Sequence, residues 1–477
     1  MDHYLSLCLI NGEWARASGG ATFTVCNPAT KQTLAEVPSL QKSDIERAIS
    51  GASQAFLQWS TTPSRTRAEL LYSLERLLRE NSEQLASVIT AESGKPLREA
   101  RGEVNYSANY IRWFAEESMR IYGDIVPSDA PNKRILVVKQ PLGVVAAITP
   151  WNFPLAMLAR KVGAALAAGC TCIAKPAPET PLSAIFFASL CKEAGFPAGT
   201  ISVVTGEDEV IGPALMESTH IRKVSFTGST EVGKLLIRQS ADTVKKLTLE
   251  LGGNAPFIAF EDADLDIALD GAIFGKYRNA GQTCICVNRF LVHEKLAPLF
   301  TQKLVERSRA LVVGDGALEK TDIGPLISRA AVEKVQGLVD SALAEGAQCA
   351  LPSAPLQAGP LFLAPIILTN VTPSMRISRE EIFGPVSAIS TFSSEDEAIR
   401  LANDTPYGLA AYVYSRDLRR ALLCAERLDF GMVGINDTAI SNVQAPFGGV
   451  KQSGFGREGS KYGIEEYLVT KYISVGV

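Results

Sequence analysis

The chain predicts an α/β fold of two or three domains. Two patterns carry that expectation. Short apolar runs bounded by Gly and Pro alternate with longer segments of helical periodicity, and the alternation recurs at the spacing of parallel strand–helix–strand crossovers. The 477 residues, 46% hydrophobic and 21% charged, are enough for large cores in an ordinary soluble globular composition.

The elements follow in order. Residues 43–60 and 64–92 carry apolar positions at helical spacing, with Ser43 and Ser64 as N-caps. Residues 135–140 and 143–149 read as β runs separated by Pro141. A helix from Pro154 to Ala168 leads to a short buried strand over 170–174, a helix over 181–194, a strand over 201–204 and a helix over 210–216. A strand over 223–226 opens the helix 231–239. The rhythm resumes with a strand over 255–260, a helix over 264–279 and a strand over 289–292, then helices over 296–310 and 330–345. Residues 348–360 read as a surface loop. Residues 465–473 alternate as a terminal strand, whose partner another subunit could supply.

A formal net charge of −4 offers no field for nucleic acid or an anionic membrane, so an anionic substrate would need local arginines. The longest apolar stretch, 155–172, is broken by Arg160, Lys161 and glycines, so no transmembrane helix is expected. No secretory signal is evident at Met1-Asp2-His3-Tyr4, and nine sparse cysteines, an odd number, fit a reducing cytoplasm. His3, His220 and His293 are scattered and no Cys/His cluster has zinc spacing, so no metal site is expected.

Chemistry concentrates in a few strings. Cys284, in Asn279-Ala280-Gly281-Gln282-Thr283-Cys284-Ile285-Cys286, lies downstream of Glu250 in Leu249-Glu250-Leu251-Gly252-Gly253-Asn254. A thiol can hold a carbonyl carbon covalently, and a carboxylate can activate the water that releases it. Phe226-Thr227-Gly228-Ser229-Thr230-Glu231-Val232-Gly233 is a glycine turn opening a helix, which suits a phosphate; a plain strand–helix turn explains it as well. Lys175-Pro176-Ala177-Pro178-Glu179-Thr180 ends a strand and could hold an adenosine ribose, or be an ordinary exit loop. Asn152, within Thr149-Pro150-Trp151-Asn152-Phe153-Pro154, is either a helix cap or a rigidly held oxyanion donor. Of the paired Glu380 and Glu381 before Ile382-Phe383-Gly384-Pro385, one could turn into a cleft and accept a ribose.

Taken together and in this order, residues 150–154, 175–180, 226–233, 249–256, 281–284, 380–385 and 445–453 resemble the NAD(P)-dependent aldehyde dehydrogenase superfamily over nearly the whole chain. Leu158-Ala159-Arg160-Lys161, residues 274–286, Ser441-Asn442-Val443-Gln444-Ala445-Pro446-Phe447-Gly448-Gly449 and Gly456-Arg457-Glu458-Gly459-Ser460-Lys461-Tyr462-Gly463 are similar to its semialdehyde-oxidising members. The resemblance implies a Rossmann-like NAD(P)-binding domain (1–121 and 141–250), an α/β catalytic domain (251–452) and a small β oligomerisation element (122–140 and 459–477) making a homodimer or homotetramer. It implies that Cys284 attacks the aldehyde, that Asn152 and the Cys284 N–H hold the oxyanion, and that Glu250 activates the hydrolytic water.

By the same resemblance, NAD or NADP is held by Trp151, Lys175, Pro178, Glu179, Gly228, Ser229, Gly233, Leu251, Glu381 and Phe383. Arg160, Arg278 and Ser441 would clamp the far carboxylate of the substrate, most naturally succinate semialdehyde, with glutarate semialdehyde or another aliphatic aldehyde as the alternative. Ordinary surface positions, or a helix C-terminal cation for Arg278, would explain the two arginines blandly. Pro178 stands where many NAD-preferring relatives have a glutamate, which leaves both cofactors acceptable. Cys286 is either a reversible disulfide partner of Cys284 or a small buried hydrophobe. A non-catalytic protein keeping the fold, and a thioester hydrolase without nicotinamide, are the rival readings; the full motif set disfavours both.

Overall fold

The computed structural model describes residues 3–353 and 358–477. An eight-stranded sheet runs in the order Gly454–Phe455, Lys246–Glu250, Ile221–Thr227, Val144–Ile148, Thr171–Lys175, Ile201–Val203, Cys8–Ile10, Glu13–Ala15. From Lys246–Glu250 to Ile201–Val203 the neighbours are parallel, and the flanking strands join antiparallel. Every residue of Thr171–Lys175 and of the crossover helix Pro154–Ala168 is buried. Alanines and Gly163 let that helix sit closely on both the sheet and its neighbours, and each buried Leu or Val contributes about 1.5–3 kcal/mol.

A second sheet of seven strands runs in the order Gln348–Leu351, Ile366–Thr369, Val386–Phe392, Val287–His293, Ala255–Ala259, Ala410–Tyr414, Met432–Ile435. It is parallel except at Gln348–Leu351. The third sheet pairs Leu468–Gly476 with Lys133–Pro141, and the latter with Asp124–Val126. The terminal strand therefore finds its partner within its own chain: Leu468 stands opposite Pro141 and Gly476 opposite Lys133. It starts later than expected because Glu465 closes the helix Ser460–Glu465.

Other boundaries move for local reasons. Gln348–Leu351 is an edge strand rather than loop, and residues 354–357 of that expected loop lie outside the described residues. The expected helix 64–92 breaks at Asn81, whose φ of −99° and ψ of 18° separate Ser64–Glu80 from Ser82–Ser93. Neither serine is the cap: Pro63 precedes the helix Ser64–Glu80, and Gln41 forms a reciprocal capping box with Asp44 ahead of Lys42–Trp59. The longest helix, Leu97–Ser118, is easily passed over in sequence because its buried face carries Glu103, Ser107, Tyr110 and Glu117 among the apolar residues.

Candidate active site

Two cavities meet at Cys284. One, of about 640 Å³, is bounded by Arg160, Arg278, Tyr106, Ser441, Phe274 and Phe447. The other, of about 330 Å³, is a cleft at the C-terminal ends of the first sheet's parallel strands, between Trp151, Gly228, Ser229, Leu251, Glu381 and Phe383. Among the described residues, only Cys284, Phe153 and Met157 line both.

The nucleophile's loop is tightly held. After the helix Leu265–Tyr277 the chain passes through Asn279, Ala280 and Gly281, all at positive φ (51°, 56° and 77°). For the first two, this conformation costs on the order of 1–3 kcal/mol each. It is secured by the Asn279 N–H donating to Glu99 Oε2 at 2.8 Å and by the Asn279 amide donating to the carbonyls of Asn152 (3.0 Å) and Gln282 (3.2 Å). Gln282 Oε1 accepts the Ile327 N–H at 3.0 Å. Behind Cys284, a Cβ on Gly253 would stand 2.2 Å from the Cys284 carbonyl oxygen, so only glycine lets the segment after Glu250 pass there. Burial, reinforced by the charge of Glu381, pushes the Cys284 thiol up to about 12, and Arg160 and Arg278 pull against that rise.

Cys286 is buried two residues beyond Cys284. Its thiol lies 3.5 Å from the carbonyl oxygens of both Lys276 and Val287, and it lines neither cavity. All nine cysteines are free.

Asn152 does not cap the helix that follows it; Phe153 occupies the cap position and Pro154 the first turn. Its Oδ1 accepts the Phe153 N–H at 3.0 Å and its Nδ2 donates to the Gln282 carbonyl at 3.0 Å. Its second amide proton has no acceptor among the described residues. The loop is clamped from below by Lys95, fully buried, whose ammonium donates to the Asn152 carbonyl at 2.7 Å and pairs with Glu103. Glu103 Oε1 in turn accepts the N–H groups of Leu155 and Ala156 at 3.0 Å each, capping the helix N-terminus.

Glu250 ends the strand Lys246–Glu250 and is buried, and neither carboxyl oxygen has a hydrogen-bond partner among the described residues. It lines neither cavity, although its neighbours Leu251 and Gly252 do. Burial first, then the charge of Glu458, hold its carboxyl well above the usual range. Glu458 is buried between Arg160, at 2.8 Å, and Lys161, and these two cations hold its own carboxyl below the usual range against the opposing effect of burial.

In the cleft, Glu381 turns inward and accepts the Gly253 N–H at 3.0 Å, while Glu380 pairs outward with Arg376 at 2.9 Å. Burial pushes Glu381 up to about 7. The Phe383 ring, on a residue at φ 57°, meets Trp151 edge-on at 5.6 Å between centroids. Ser229 spends its hydroxyl capping its own helix, accepting the Val232 N–H at 3.2 Å, so the turn offers backbone rather than side chain to an anion. Gly233 lies under Leu251, which a Cβ there would meet at 2.6 Å. Lys175 and Pro178 stand at the strand end beside the cleft without lining it; Glu179 lines it. Glycine turn, helix N-terminus, inward carboxylate and aromatic wall fit a dinucleotide.

In the larger cavity Arg160, Arg278 and Ser441 come together. Arg160 is 1% exposed, with its guanidinium 3.9 Å from the Phe447 ring centroid. Arg278 sits over the rings of Phe153 (5.1 Å) and Phe274 (5.3 Å), with no carboxylate paired to it among the described residues. The Ser441 and Tyr106 hydroxyls are hydrogen-bonded at 2.6 Å. Arg160 is interior, so the surface reading does not hold for it; Arg278 stands at the C-cap of the helix Leu265–Tyr277, as the helix-end reading has it, and also lines the cavity. Sequence reasoning missed Lys95, Glu103, Tyr106, Asn279 and the role of Glu458; the one available signal was an isolated charge inside an apolar or turn segment, such as Lys95 between Gly94 and Pro96.

The chain belongs to the aldehyde dehydrogenase family, whose model matches residues 14–473. It is 50% identical to 3-sulfolactaldehyde dehydrogenase of Pseudomonas putida, over 98% of this chain and 96% of that one. It is likewise 50% identical to succinate semialdehyde dehydrogenase of Acinetobacter baylyi, over 98% and 97%. The crystal structure of succinate-semialdehyde dehydrogenase from Burkholderia pseudomallei superposes with a TM-score of 0.98 at 52% identity, covering 100% of this chain and 99% of that one.

Proposed function

We propose that the protein oxidises a carboxylate-tailed aldehyde, succinate semialdehyde foremost, to the acid with NAD or NADP. The observation that carries this reading is the meeting of a dinucleotide-shaped cleft and an arginine-bearing cavity at one cysteine. Arg278, cationic and unpaired with any carboxylate among the described residues, takes the far carboxylate, with Ser441 and Arg160 beside it. Cys284 adds to the aldehyde carbon, its thiol proton passing to solvent water as the thiohemiacetal oxyanion forms. The free Asn152 amide proton and the Cys284 N–H hold the oxyanion. A nicotinamide held in the cleft would supply the two-electron acceptor needed for this adduct to become a thioester on Cys284. Glu250, turning from its buried position toward Cys284, takes a proton from the water that releases the acid.

Trp151, Gly228, Ser229, Leu251, Glu381 and Phe383 would hold the cofactor along the cleft, with Lys175 and Glu179 at its adenosine end. We further propose that the three-stranded sheet, with Tyr122, Ile125 and Tyr472 exposed beside or on it, joins subunits into a dimer or tetramer. The nine free thiols agree with a cytoplasmic setting. The test is a panel of mono- and dicarboxylic semialdehydes and neutral aldehydes, read by the absorbance of reduced nicotinamide. The highest kcat/KM should fall on succinate semialdehyde; a neutral aldehyde of similar length turned over as well would overturn the substrate assignment.

A further inference from the structure

Resting on the dinucleotide reading above, we propose that Asp208 makes the adenosine end of the cleft select NAD against NADP. At such sites a carboxylate accepts the ribose hydroxyls and repels a 2′-phosphate, whereas an unpaired cation welcomes that phosphate. Lys175 supplies the cation at the end of Thr171–Lys175, but its ammonium is already paired with Asp208. Asp208 is the first residue of the helix Asp208–Glu217, on the turn after the neighbouring strand Ile201–Val203, and is 68% exposed at its side chain. Glu179, four residues past Lys175, lines the cleft and feels the charges of both Asp208 and Lys175.

Asp208 thus occupies the ammonium while Glu179 stands within reach of both charges, and Glu207 and Glu209 flank Asp208 with further negative charge. Pro178, between Lys175 and Glu179, has neither a donor for a phosphate nor a charge against it. Discrimination therefore passes from the position of Pro178 to Glu179 on one side and to Asp208 on the other. A 2′-phosphate would add its negative charge where the balance is already negative. The ribose hydroxyls of NAD would instead find two acceptors and a donor. A like-charge contact at a half-exposed site changes affinity by about tenfold, and salt weakens it.

The experiment titrates the protein with NADH and with NADPH, following fluorescence, and reads dissociation constants without turnover. At low salt the wild type should bind NADH about tenfold or more tightly than NADPH. Asp208→Asn should narrow that ratio about fivefold, mainly by tightening NADPH; adding Glu179→Gln should bring it near parity. In the wild type, high salt should narrow the ratio as well. Equal affinities in the wild type, or an unchanged ratio in Asp208→Asn, would overturn the proposal while leaving the dinucleotide reading standing. Binding of neither nucleotide would remove that reading and this one with it.

Discussion

Arg160 meets Glu458 at 2.8 Å in the interior, so its positive charge is tied to a carboxylate that it shares with Lys161. Arg278 lies over two aromatic rings, pairs with no carboxylate among the described residues, and so has its charge free for a ligand. The two arginines that look equivalent in sequence therefore divide into one packed into the wall with a carboxylate and one proposed to read the substrate. Arg278→Ala should raise KM for succinate semialdehyde by about a hundredfold, the scale of a lost charge-assisted hydrogen bond, and that for a neutral aldehyde of similar length by far less. Equal effects on both would contradict the assignment. Arg160→Met should instead lower thermal stability, by about 3 kcal/mol, because Glu458 loses one of two buried partners.

Lys95 acts at a distance from the reacting atoms, by fixing the carbonyl of Asn152. Lys95→Met should lower kcat at least tenfold while leaving the affinity for NADH within about twofold, since only the oxyanion donor shifts. A parallel loss of nucleotide binding would show a general collapse of the site instead. Thermal melting would report the separate cost of leaving Glu103 buried without its cation.

If Glu250 is the proposed base, its raised carboxyl sets the pH dependence of the hydrolytic step. A general base works only after losing its proton, so an elevated pKa makes the steady-state rate fall as pH drops, with a midpoint above the ordinary carboxylate range. Glu250→Gln should lower kcat by about 10²–10⁴-fold yet keep a first-turnover burst of reduced nicotinamide. Loss of the burst together with turnover would assign Glu250 to the earlier step.

Glu92 should make stability fall with rising pH. It is buried without a cation among the described residues, accepting the N–H groups of Leu182 at 2.7 Å and Ser183 at 3.0 Å, and burial pushes it up to about 8. The folded chain therefore holds a proton that the unfolded chain releases near the ordinary carboxylate pKa. That contribution is complete below the unfolded value and is lost as pH rises through about 8, at about 1.4 kcal/mol per pH unit within the window. Glu92→Gln should accordingly gain in melting temperature over the wild type as pH is raised across that window. A difference that stays constant with pH would contradict it.

The alternation of strands and helices, and the reactive strings at Cys284, Glu250 and Asn152, were legible because each is written in consecutive residues. What surrounds them was not. Lys95 reaches Asn152 across 57 positions, and Lys161 reaches Glu458 across 297, distances at which composition and periodicity carry no signal. The helix Leu97–Ser118 hid because the buried charges that hold the site interrupt its apolar face. The terminal strand was foreseeable from its alternation, but its antiparallel register with Lys133–Pro141 is a property of the folded chain. Arg160 and Arg278 were picked out together by type, and only three-dimensional packing separates their surroundings.

The most direct test of the central claim traps the covalent species on Cys284. Glu250→Gln would be mixed with NAD and succinate semialdehyde, quenched within one turnover, digested and mapped by mass spectrometry. The account predicts a succinyl group on the peptide carrying Cys284 and none when Cys284→Ala is added. An unmodified Cys284 peptide after a full burst of reduced nicotinamide would contradict it.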